Sequence, residues 1–166
     1  MAASALSLFF TFISIRFMET RNTRDKQSIQ HLINQILPAL AQTVHQHIQP
    51  VIPMFENFVL EQVVDTWTKD PASDLDDEIS IEKGNVQQVG LRLKLESFNK
   101  PGAEPFDVTK NMLFKLEYSS YTVGPDKNSP WLEKVYQQRW EKYEYEEIAE
   151  QWTEELIDSI SAQLVK

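Results

Sequence analysis

Val89-Gly90-Leu91-Arg92-Leu93-Lys94-Leu95-Glu96 is the stretch that decides the fold. Its apolar residues recur every second position, at Val89, Leu91, Leu93 and Leu95, while Arg92, Lys94 and Glu96 fall between them. A period of two puts the leucines on one face of a β-strand and the charges on the other. A sheet with one wet face is antiparallel, because parallel sheets are covered on both sides. Upstream, Ile79 and Ile81 alternate with Ser80 and Glu82 and predict a preceding strand that ends at Gly84-Asn85. Downstream, Asn99 to Asp107 contains Pro101-Gly102 and Pro105 and reads as a loop. A further strand is predicted over about Asn111 to Val123, with Met112, Phe114, Leu116 and Tyr118 on one face and Lys115, Glu117 and Ser119 on the other. Successive strands with no helix between them predict a three-stranded antiparallel meander.

Toward the N-terminus the period changes. Ile29, Leu32, Ile33, Ile36, Leu37, Leu40, Val44 and Ile48 step by threes and fours, a helical stripe that Thr23 is placed to cap. Pro38 lies inside it and predicts a kink; Pro50 and Pro53 end it. Met54 to Lys69, with Phe55, Phe58, Val59, Val63 and Trp67 inward, reads as a second helix stopped at Asp70-Pro71. Together these two make an N-terminal helical hairpin, followed by a polar, acidic loop over Ala72 to Asp77.

Residues 1–17 read as an apolar leader ahead of a single α+β domain spanning 18–166. Ala2 to Ile15 would rise only about 21 Å as a helix, short of a hydrocarbon core of about 30 Å. No positive residue precedes the run, and Arg16-Phe17-Met18-Glu19 is a poor cleavage site. Met18 as the true start accounts for both features; a signal or membrane anchor is the alternative.

Gly124 to Asn128 reads as a turn, and Ser129-Pro130 as the start of a C-terminal helix. Leu132, Val135, Tyr136, Trp140 and Tyr143 form its first stripe. The register slips at Tyr143-Glu144-Tyr145 and resumes through Tyr145, Ile148, Trp152, Leu156, Ile160 and Leu164. This predicts one long bent helix or two joined near residue 144, with a short strand over Tyr143–Tyr145 as a further alternative. With one wet sheet face, the helices are expected to cover the other in two layers.

Composition excludes several chemistries. The chain has 166 residues and no cysteine, so disulfides, thiolate metal sites and a cysteine nucleophile are ruled out. Its four glycines fit no phosphate-cradling loop. Net charge is −9, and only two of the acids, Glu19 and Asp25, lie in residues 1–50. A body this acidic repels phosphate backbones and anionic headgroups, so no nucleic-acid partner is expected. His31 and His45 stand about 21 Å apart along a helix axis, too far to share a metal. His45 and His47, two apart, face different ways. Asp74, Asp76, Asp77 and Glu78 do not fit the calcium-loop pattern, which would need glycine at Ile79 and glutamate at Asn85. No serine lies in a nucleophile elbow. No catalytic residue, metal or cofactor is expected.

What remains is the C-terminal stretch. Trp131 to Lys166 carries nine acids against four bases. Trp131, Tyr136, Trp140, Tyr143, Tyr145 and Trp152 crowd into it, more than one core-facing stripe easily hides. These six are the candidate partner-binding residues, aromatic anchors in an acidic rim suited to a basic protein partner. The other readings of the same stretch are a packed helix with a solvated outer face, and sugar or small-ligand stacking on Trp131, Tyr136 or Trp140. The reading is a non-enzymatic protein-interaction or assembly protein, cytoplasmic unless residues 1–17 secrete or anchor it. The alternative is a small-ligand-binding or hydrolytic domain with a pocket between sheet and helices.

Overall fold

The computed structural model describes residues 23–65, 78–125 and 130–165. The chain is α+β, and its described residues form one antiparallel sheet of five strands in sequential order. These are β1 (Phe55–Asp65), β2 (Gln88–Phe98), β3 (Val108–Leu116), β4 (Ser120–Gly124) and β5 (Leu132–Val135). A helical stretch precedes the sheet: α1 (Lys26–His31), a π-helical turn (Leu32–Ile36) and α2 (Leu37–His47). A long helix, α3 (Lys142–Leu164), follows it.

The meander and the closing helix match the sequence expectation, but its three strands become five. Met54–Lys69 does not form the second arm of a helical hairpin; Phe55–Asp65 is edge strand β1, paired with β2 from Phe55↔Phe98 to Asp65↔Gln88. The remainder of that predicted helix, the following acidic loop and the apolar leader lie outside the described residues. Ile79 to Ile81 forms no strand. The single strand expected over Asn111–Val123 folds back on itself as β3 and β4, with Leu116 facing Tyr121 across the turn. Leu132–Val135 is edge strand β5 rather than the first turns of a helix, and α3 begins only at Lys142.

The sheet turns Val89, Leu91, Leu93 and Leu95 of β2, and Met112, Phe114 and Leu116 of β3, toward the helices; all are buried. Fully burying one such side chain contributes about 1.5–3 kcal/mol. The opposite face is polar, with Arg92 Nε donating to Asn111 Oδ1 at 3.1 Å and Lys94 paired with Glu61 at 3.6 Å. Gly90 is required on this face. A Cβ there would stand 2.1 Å from the Met112 carbonyl oxygen of the neighbouring strand.

Helices α2 and α3 pack side by side over β2 and β3. Trp152 of α3, fully buried, donates its indole N–H to the Asn111 carbonyl of β3 at 3.1 Å. His47 Nε2 and Glu146 Oε2, 2.7 Å apart, join the two helices. Asp25, not Thr23, caps α1, accepting from the Ser28 amide at 2.8 Å. Pro38 is the second residue of α2, and a π-helical turn stands just before that helix. There the Leu37 N–H donates to Leu32 O, five residues back. In an α-helix it would serve Ile33 O, and Pro38, next in line, has no N–H. The Ile33 carbonyl instead accepts from Gln62 Nε2 of β1 at 3.3 Å.

Candidate functional site

Edge strand β5 and the start of α3 converge on one charged pair. Lys134 faces Tyr121 across the β4–β5 ladder, on the inner side of the sheet. Its side chain is 1% exposed, and Nζ lies 2.9 Å from Glu144 Oε1 and 2.8 Å from the Arg139 carbonyl. A buried charge is tolerated when it is paired and hydrogen-bonded in this way. The same Glu144 oxygen accepts the Glu141 amide at 2.9 Å, within a reciprocal capping box that starts α3. The Trp140 ring covers the ammonium, 5.7 Å from its centroid.

Behind this pair, Phe114 stacks against both Tyr121 and Trp140, with centroids 5.7 and 5.9 Å away. Trp140 Nε1 donates to the Tyr121 hydroxyl at 2.7 Å. Tyr136 donates to the Glu117 carbonyl. Burial pushes the Tyr121 hydroxyl up to about 12 and raises that of Tyr136 as well. Tyr145, 4.9 Å from Trp140, is raised by burial and by the neighbouring Glu144 carboxylate.

The six aromatics singled out from the sequence therefore divide. Tyr136, Trp140 and Trp152 are core residues, at most 4% exposed. Tyr145 is half-buried against Trp140, and Trp131 is half-buried beside β5. Tyr143 is 61% exposed. Trp131 and Tyr143 meet across a cleft of about 190 Å³ between β5 and α3, with Leu132, Glu144, Glu147 and Ile148 completing most of its wall. These four carried no sequence signal as a group, because the groove exists only once residues 132–135 are strand and residues 142–164 are helix.

The three histidines have different surroundings. His31 is exposed, His45 lies 5.7 Å from Phe58, and His47 bonds Glu146. Among the described residues no group of three or more His, Asp or Glu is placed to hold a metal ion. Asp74, Asp76 and Asp77 lie outside those residues. Likewise no described helix is long and apolar enough to cross a membrane. Comparison with protein-family models, with curated proteins and with solved structures finds no match to this chain.

Proposed function

We propose that this chain is a non-enzymatic protein-interaction or assembly protein that docks a basic partner on the face formed by β5 and the first turns of α3. The observation that carries this reading is the cleft between Trp131 and Tyr143. Aromatic anchors at a depression, inside a polar rim, are the usual anatomy of a docking site. Tyr143 exposes more than half of its surface while the aromatics behind it are core. Glu147 in the cleft and Glu150 on the next turn are exposed, and a basic partner satisfies them.

The alternative, a ligand pocket between sheet and helices, finds less support. Such a pocket needs buried polar groups converging on open space. Here Lys134 is held by Glu144, Tyr121 by Trp140, and Tyr136 by the Glu117 carbonyl. Thr153 bonds the Ala149 carbonyl of its own helix.

The test is capture by the full chain as bait, alongside a Trp131→Ala/Tyr143→Ala variant and a Glu147→Lys variant. The docking reading expects a stoichiometric partner that both variants lose. Retained binding in both contradicts it. Neither Trp131 nor Tyr143 is a fully buried core residue, so the melting temperatures should stay near that of the parent.

A further inference from the structure

The docking reading leaves open how a partner uses the cleft. We infer that an extended, lysine- or arginine-bearing segment of the partner adds to the sheet as a sixth strand along β5. This rests on the docking reading, and three features carry it.

Among the described residues β5 ends the strand order and has β4 as its only ladder partner. The Val135 carbonyl accepts the Gln138 amide at 3.0 Å, and the rest of the outer edge presents main-chain groups to an added strand. The cleft lies between the start of β5, at Trp131 and Leu132, and the first turns of α3. A segment laid along the four residues of β5 spans about 13 Å and turns alternate side chains toward the cleft. There they meet Trp131, Leu132, Tyr143, Glu147 and Ile148.

Lys134 supplies the second feature. A charge pointing inward from an edge strand ordinarily blocks strand addition, because the new strand would bury it. Lys134 is such a residue, but its side chain is already 1% exposed and bound to Glu144 at 2.9 Å. Adding a strand desolvates no further ammonium, so this protection does not operate at β5.

Charge is the third. Glu133, Glu147, Glu150 and Glu154 are exposed on β5 and α3. Of the four bases in this region, Lys134 is already neutralised. An acidic segment is repelled here and a basic one is drawn in.

The test uses the full chain and a synthetic hexapeptide alternating lysine and valine. Two controls are the same peptide with alternate backbone amides methylated and a glutamate–valine version. Hydrogen exchange at residues 132–135 and resonance shifts at Trp131 and Tyr143 are read. Strand addition predicts saturable binding of the lysine peptide, with exchange at 132–135 slowed about tenfold. It predicts loss of binding on methylation or with glutamate, and affinity about fivefold weaker in Glu147→Lys. If the methylated peptide binds equally and shifts Trp131 and Tyr143, docking stands and strand addition falls. If no peptide perturbs Trp131, Tyr143 or β5, both fall. Concentration-dependent protection of 132–135 without peptide would make a second copy the occupant and overturn the inference.

Discussion

Lys134 Nζ and Glu144 Oε1 stand 2.9 Å apart, and this ion pair ties the sheet's edge strand to the first turn of its closing helix. Both ends are shielded, the side chains being 1% and 12% exposed. Removing one partner strands the other in a low-dielectric setting. Glu144→Ala is expected to cost about 3–5 kcal/mol, since an unpaired ammonium is left behind and the cap of α3 goes with it. Lys134→Met should cost less, because Glu144 keeps its bond to the Glu141 amide. The double variant should be more stable than Glu144→Ala alone. Urea unfolding of the three chains measures this order, and equal losses in both single variants would contradict it.

Stability should fall at alkaline pH. The folded chain holds the Tyr121 hydroxyl neutral up to about pH 12, against an ordinary value of 10.0. A raised folded value means the stabilisation is complete below pH 10.0 and lost as pH climbs toward 12. Tyr136 and Tyr145 are raised in the same direction. At about 1.4 kcal/mol per tenfold, Tyr121 alone accounts for a loss of about 2–3 kcal/mol across that window. Tyr121→Phe should flatten the slope of unfolding free energy against pH there. An unchanged slope would show that Tyr121 is not held neutral.

Gly90→Ala is expected to destabilise the sheet by about 3 kcal/mol or more. The added methyl would lie 2.1 Å from the Met112 carbonyl, and backbone rather than a flexible side chain must give way. Gly102→Ala is the control for open space, with nothing within 4 Å, although its φ of +86° adds strain to the turn. Thermal unfolding of the two variants should separate them by several degrees.

Gln62 and Pro38 should be coupled. Gln62→Ala removes the donor to the Ile33 carbonyl at 3.3 Å and should cost about 0.5–1.5 kcal/mol. In a Pro38→Ala background the helix regains an N–H of its own, and the penalty should shrink. A double-mutant cycle reads the coupling directly; additive penalties would mean that the π-helical turn and β1 are independent.

The pattern of what was legible follows from these same two edges. In central strand β2 every inward residue from Val89 to Leu95 is apolar, so the period of two is plain in the sequence. At the edges the inward set is Phe58, Leu60, Gln62 and Val64 in β1, and Leu132 and Lys134 in β5. A polar residue interrupts each, matched by a group far away in the chain: the Ile33 carbonyl for Gln62, Glu144 for Lys134. With the alternation broken, the spacing of Phe55, Phe58, Val59 and Val63 fits a helix equally well. The steps of Leu132, Val135, Tyr136 and Trp140 fit a helix for the same reason. The register slip at Tyr143–Tyr145 was a real signal, marking the true start of α3 at Lys142. The aromatic surplus was visible in composition, but its division into core and surface was not. Tyr136 packs on Tyr121, and Trp140 on Phe114, both of which arrive from the β3–β4 hairpin.

The most direct measurement is site-specific photocrosslinking in cells that make the protein. A photoreactive phenylalanine derivative replaces Tyr143 in one chain and Tyr118 in another. These positions are 61% and 70% exposed; Tyr143 lies in the first turn of α3 and Tyr118 in the turn between β3 and β4. The docking account predicts one discrete crosslinked protein from position 143, lost when Trp131→Ala is added, and none from position 118. Crosslinks of equal yield and identity from both positions, or none from 143, would contradict it.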